Sequence, residues 1–134
     1  MAFEEVTEGK GTILLIDDEE MILKVGKMIL PELGYTALYA GSGREGIEVY
    51  RNNKDRIELV ILDMIMPEMD GGETYDRLKG INPAIKVLLS SGYSLDGRAE
   101  EILARGCDGF IQKPFGIEEL AQKLGEISGK EKKH

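Results

Sequence analysis

The sequence predicts an α/β fold, a doubly wound five-stranded parallel sheet with helices on both faces, and three observations carry that expectation. Apolar runs of strand length, at 12–16 and 59–62, are continuous rather than alternating, as in strands covered on both faces. Between such runs lie stretches whose apolar residues recur every three or four positions, the stripe of a helix facing a core. Strand then helix repeats five times over, which argues for crossovers feeding one parallel sheet. At 134 residues with one Cys, the chain can bury a core without disulfides or structural metal. It shows no apolar leader and no stretch of membrane-spanning length, so a reducing, cytoplasmic setting is expected, without membrane contact. The formal net charge of −8 argues against direct nucleic-acid binding, which rests on basic patches, and suits a divalent cation.

Residues 1–11 are polar and read as a flexible lead-in; the folded domain is expected over 12–128, with a tail at 129–134. The strand at 12–16 is followed at once by Asp17, Asp18, Glu19 and Glu20. The next helix sets Ile22, Val25, Ile29 and Leu33 on one face. Pro31 interrupts it, so a kink or an early end near Leu30 is expected, with Gly34 as the stop. A weaker strand at 35–40 leads to Ser42-Gly43-Arg44-Glu45, a capping-box pattern before a helix carrying Ile47 and Tyr50. The run at 59–62 ends in Asp63, and Asp70-Gly71-Gly72-Glu73 repeats the capping pattern before a helix with Tyr75 and Leu78. Residues 85–89 form a strand ending in Ser90-Ser91-Gly92. A helix over about 95–105 has few large apolar residues and contains Gly97, which weakens it by roughly 1 kcal/mol relative to Ala, so it is expected to be the mobile one. Gly106 closes that helix, and a last short strand at 108–112 runs into Lys113-Pro114-Phe115. Ile117, Leu120, Ala121, Leu124 and Ile127 then mark a core-facing final helix. For this length the flavodoxin-like strand order 2-1-3-4-5 is the first choice.

In that order the first and third strands are neighbours, so Asp17, Asp18 and Asp63 meet at the C-terminal edge, where ligands bind in open α/β sheets. Alone, Asp63 reads as a helix cap or turn acid, Lys113 as a solvated cation and Ser91 as a turn residue. Their joint placement at four strand ends favours function. Three close carboxylates raise one another's pKa unless a cation intervenes, and Mg²⁺ prefers such oxygen ligands. The fifth strand brings Lys113 and the fourth brings Ser91 to the same edge. This set suits phosphoryl transfer onto Asp63, whose oxygen is the nucleophile of an acyl phosphate. Mg²⁺ and Lys113 supply positive charge, and Ser91 and the backbone N–H groups after Asp63 supply hydrogen bonds. No general base is needed, because a carboxylate is already ionised at pH 7.

The segments LLIDDE, VILDMIMPEMDG, LLSSGY and FIQKPF, in this order, resemble the receiver domain of two-component response regulators over about residues 11–128. The resemblance implies that Asp63 is the phosphoacceptor, Asp18 a direct Mg²⁺ ligand and Asp17 an assistant to the metal. The backbone carbonyl of Ile65 completes the protein ligands. Lys113 becomes the phosphate-binding cation and Ser91 the switch hydroxyl. Phe110 takes the place of the switch aromatic, without the hydroxyl of the commoner Tyr, and reads equally as a permanent core residue. A cis Lys113-Pro114 bond is also implied, whereas Pro31 departs from the usual pattern of the first helix. The implied partners are a histidine kinase or histidine phosphotransfer protein as donor and an effector protein downstream. A phosphorylation-dependent homodimer is compatible with this. LLSSGY and GFIQKPF resemble receivers of hybrid sensor kinases as well as stand-alone ones.

Such a chain accepts a phosphoryl group and loses it slowly by its own chemistry, and is not a metabolic enzyme. The alternatives are a phosphorylation-independent docking module and a flavodoxin-like small-ligand binder. The latter wants a Ser/Thr/Gly-rich loop after the first strand, where this chain is acidic. An aspartyl-phosphate phosphatase would place an Asp at position 65, which is Ile65. Cys107 reads as a small packing residue, and His134 and the 130–133 charge run as a solvated end. Met64, Met66 and Met69 fit either gap-filling or an adaptable surface for a partner helix.

Overall fold

The computed structural model describes residues 11–93 and 96–132, with side chains through 128; the expectations for residues 1–10, Leu95 and His134 lie outside these. The elements run β1 Thr12–Ile16, α1 Glu20–Glu32, β2 Thr36–Ala40, α2 Gly43–Asn53, β3 Ile57–Asp63, α3 Gly71–Ile81, β4 Lys86–Ser91, α4 Gly97–Ala104, β5 Gly109–Gln112 and α5 Ile117–Lys132. The five strands form one parallel sheet in the order β2-β1-β3-β4-β5, as expected.

Continuous apolar runs are explained by the sheet's position between two helical layers. Successive side chains of a strand point to opposite faces. Leu14, Ile16, Val60, Leu62, Val87 and Leu89 pack on one face with residues of α2, α3 and α4. Ile13, Leu15, Leu59, Ile61, Leu88 and Ile111 pack on the other with Ile22 and Leu30 of α1 and Leu120, Leu124 and Ile127 of α5. Each face buries apolar surface at roughly 25 cal/mol per Å² removed from water, so no register slip of one residue is neutral.

Both capping patterns are realised. Ser42 accepts from the Glu45 N–H at 3.1 Å, and the Glu45 carboxylate reaches back to the Gly41 N–H at 2.8 Å. Asp70 accepts from the Glu73 N–H at 3.0 Å. Four expectations need correction. Helix α1 does not stop near Leu30 but runs through Pro31 to Glu32, because Pro31 lies in the exposed last turn and removes one hydrogen bond there. Gly34, at φ +95°, then carries the chain out of the helix. Gly97 is the first residue of α4, after the Asp96 cap, rather than an interior position, so the glycine penalty of a helix interior does not apply. Ile117 is 42% exposed, leaving Leu120, Leu124 and Ile127 as the buried stripe of α5, and this helix continues past Ser128 to Lys132 where a tail was expected. The three methionines around Asp63 are all buried in the core, so they fill gaps and present no partner surface. Cys107 is a packing residue as expected: its Sγ donates to the Val87 carbonyl at 3.3 Å, and burial pushes the thiol up to about 11.

At the junction of β3 with α3 the backbone of the turn lies close against the strand end. The Gly71 N–H donates to the Met64 carbonyl at 2.8 Å, and a Cβ on Gly71 would lie 2.6 Å from both the Asp63 carbonyl oxygen and the Met64 Cα. These are backbone atoms at the end of a central strand and cannot yield without moving Asp63. At Gly72 the nearest atom to an added Cβ is 3.6 Å away. Gly71→Ala is therefore expected to destabilise by about 1–3 kcal/mol through overpacking, whereas Gly72→Ala, in the first turn of α3, is expected to change stability by less than about 0.5 kcal/mol. Urea unfolding of the two variants checks this, and equal effects would contradict it.

Candidate functional site

The C-terminal ends of β1, β3 and β5 converge on one cluster. Asp17 follows β1, Asp63 ends β3, and the parallel pairing of these strands sets the two acids side by side. Oxygens of Asp17, Asp18 and Asp63 all lie within 4.8 Å of one another. Asp17 and Asp63 are buried and Asp18 is exposed. Lys113, one residue beyond β5, sends its ammonium into the cluster, 3.1 Å from Asp17 Oδ2 and 3.2 Å from Asp63 Oδ1. The bond that follows, Lys113-Pro114, is cis. A cleft of about 430 Å³ opens over the cluster, lined by Asp18, Glu19, Asp63, Ile65, Gly92, Tyr93 and Lys113.

The expected residues are thus placed unequally. Asp17, Asp18, Asp63, Ile65 and Lys113 come together. Ser91 is buried at the end of β4, and its Oγ accepts from the Tyr93 N–H at 3.1 Å, which leaves the hydroxyl proton free for another acceptor. Phe110 is half-buried against the core of the α2, α3 and α4 face, away from the cleft. Sequence reasoning passed over Glu19. Its carboxylate lies 2.7 Å from Lys113 Nζ, the shortest contact of that ammonium, and its backbone N–H donates to Asp17 Oδ1 at 2.9 Å. No local signal separates Glu19 from the other acids of the run, because its partner lies 94 residues away.

Burial sets the charge states. It raises the Asp17 carboxyl above the usual range, against the Glu19 N–H and Lys113, which lower it. Asp63 is pushed up to about 7, first by burial and then by the charge of Asp17, with Lys113 opposing. Burial and the neighbouring charge thus work against the ionised form expected at pH 7 when no cation is bound. Burial works against the Lys113 ammonium too, but Glu19, Asp17 and Asp63 outweigh it and hold its pKa above the ordinary lysine value. One oxygen, Asp63 Oδ2, is buried with no hydrogen-bond partner. That orphaned oxygen, among three close carboxylates facing a wet cleft, fits a small hard cation that keeps several waters.

The raised Asp63 pKa has a definite sign in stability. With a folded value near 7 and an unfolded value near about 3.9, the unfolded chain ionises first, so stability is full below pH 4 and is lost as pH rises to 7. In chelator, Asp63→Asn should be more stable than the parent by about 2–4 kcal/mol at pH 8, with the gap closing toward pH 4. Mg²⁺ should narrow it by binding the parent. Urea midpoints of both proteins across this range check the expectation, and a pH-independent gap would refute it.

The family model for the response regulator receiver domain matches residues 13–125. The sensor kinase CckA of Brucella abortus (strain 2308) is 35% identical over 123 residues, which are 92% of this chain and 13% of that protein. A response regulator receiver domain protein from Clostridium thermocellum superposes with a TM-score of 0.84 at 30% identity, covering 91% of this chain and 97% of that one. The CheX-CheY-BeF3-Mg²⁺ complex from Borrelia burgdorferi shares the fold at a TM-score of 0.84 and 24% identity, over 88% of this chain and 89% of that one. The strand order, the acid cluster with its buried lysine and the match over most of the chain lead to one assignment: the chain belongs to the response regulator receiver domains of two-component signalling.

Proposed function

We propose that this receiver accepts a phosphoryl group on Asp63 from the phosphohistidine of a histidine kinase or a histidine phosphotransfer protein. The observation that carries this reading is the asymmetry of the Asp63 carboxylate: Oδ1 is held by Lys113, whereas Oδ2 is buried without a partner. In the transfer an Asp63 oxygen forms the new P–O bond as the donor's N–P bond breaks, and the electron pair leaves with the imidazole. Lys113 offers its ammonium to the charge that gathers on the phosphoryl oxygens, and the free proton of Ser91 suits one of them.

Asp17, Asp18, Asp63 and the backbone carbonyl of Ile65 would hold Mg²⁺, which would supply further positive charge to the same oxygens. The Mg²⁺ and BeF3 of the Borrelia burgdorferi CheY complex support the choice of metal by likeness of fold. Movement of Ser91 toward the phosphoryl group would let Phe110 rotate inward and change the face formed by α4, β5 and α5, to which an effector or a second copy binds. Helix α4, with eight residues of which Ala99 and Ile102 are buried, is the least anchored element of that face. Slow self-dephosphorylation, and no metabolic turnover, is the expected chemistry. A cytoplasmic place fits these partners, and no helix among the described residues is long and apolar enough to cross a membrane.

Intact mass after incubation with acetyl phosphate tests the reading. One phosphoryl adduct is expected in Mg²⁺, none in chelator and none on Asp63→Asn. An unmodified parent in Mg²⁺ would overturn it in favour of a docking module.

A further inference from the structure

An ammonium has three N–H donors, and in this protein all three of those on Lys113 are engaged, by Asp17, Asp63 and Glu19. A phosphoryl oxygen can be bound by Lys113 only if one of these acceptors leaves. The three differ in freedom. The side chains of Asp17 and Asp63 are 0% and 3% exposed, whereas that of Glu19 is 59% exposed while making the shortest of the contacts, 2.7 Å. Asp17 and Asp63 are buried at the ends of β1 and β3 and have no solvent to turn into, but Glu19 can swing into water, where its charge is solvated.

Glu19 also has no competing local duty. It is the N-cap residue of α1, yet its side chain caps no N–H of that helix; its backbone carbonyl accepts from the Ile22 and Leu23 N–H groups. The backbone is fixed by the helix and by the Glu19 N–H bond to Asp17, so only the side chain is free to move. It lines the cleft beside Asp63.

We propose that Glu19 is a rate-setting residue of phosphoryl acceptance: its carboxylate occupies the seat on Lys113 that a phosphoryl oxygen takes, and must be displaced by it. The inference rests on the reading of Asp63 as phosphoacceptor. Loss of the contact should favour any tetrahedral anion seated at Asp63, and loss of charge alone should not suffice.

The test compares the parent with Glu19→Gln, Glu19→Asp and Glu20→Gln. The aspartate keeps the charge but is one methylene too short for the 2.7 Å contact; Glu20→Gln removes the same charge from the neighbouring exposed position. Beryllofluoride affinity in saturating Mg²⁺ is read by calorimetry, and the rate of adduct formation from acetyl phosphate by intact mass. Both Glu19 variants should bind beryllofluoride about three-fold more tightly and accept phosphoryl groups faster by a similar factor, the scale of one half-exposed ion pair. Glu20→Gln should match the parent. Equal gains in Glu20→Gln, or gains in Glu19→Gln that Glu19→Asp lacks, would reduce the effect to field strength and overturn the proposal. An adduct on the parent with unchanged affinities would also overturn it while leaving Asp63 as acceptor. Tightened beryllofluoride binding without any adduct would keep the role of Glu19 and overturn acceptance by Asp63, and no binding by any variant would overturn both.

Discussion

Two carboxylates that have lost nearly all contact with water sit next to each other at the top of the sheet, and a single ammonium makes that tolerable. Desolvation pushes both Asp17 and Asp63 toward the neutral form, and the charge of Asp17 adds to the push on Asp63. Lys113 opposes both effects at once because it lies within 3.2 Å of each. The arrangement depends on the strand order, since only a sheet in which β1 and β3 are neighbours brings the two acids together. It also depends on the turn after β5, which returns Lys113 across the edge of the sheet. The fold is in this sense a device for holding incompatible charges at one point, with the orphaned oxygen of Asp63 as the residue of that conflict.

The close approach of Gly71 to the end of β3 belongs to the same constraint. Between Asp63 and α3 the chain turns through Glu68, a non-glycine residue at φ +68°, with the Met69 N–H bonded to the Pro67 carbonyl at 2.7 Å. A positive φ at such a residue is uncommon and is maintained by surrounding packing. Here Met64, Met66 and Met69 are all buried about the turn. Their adaptable side chains reconcile a strained backbone with a filled core.

The strands were legible because burial on both faces writes an unbroken apolar run into the chain, and strand order followed from the repeated alternation with helices. Asp17, Asp18, Asp63 and Lys113 were legible once each was placed at a strand end. What the sequence hid was tertiary. Glu19 looks like any other acid of its run until Lys113 is seen beside it. The effect of Pro31 depends on whether it falls in an exposed last turn, and that of Gly97 on whether it begins the helix or lies within it. Ile117 fits the helical period but stands at the first position of α5, before the helix has settled onto the sheet. The ionisation of Asp63 was misjudged because a reference pKa contains neither burial nor a neighbour's charge.

Lys113 is separated from Asp17 by 96 residues and from Asp63 by 50. During synthesis the two acids therefore emerge long before their counter-charge, and β5 pairs only with β4 at the far edge of the sheet. Contacts so distant along the chain form late, after the entropy of closing the intervening loop has been met. The charge balance at the strand ends is thus completed only when the last strand has joined the sheet.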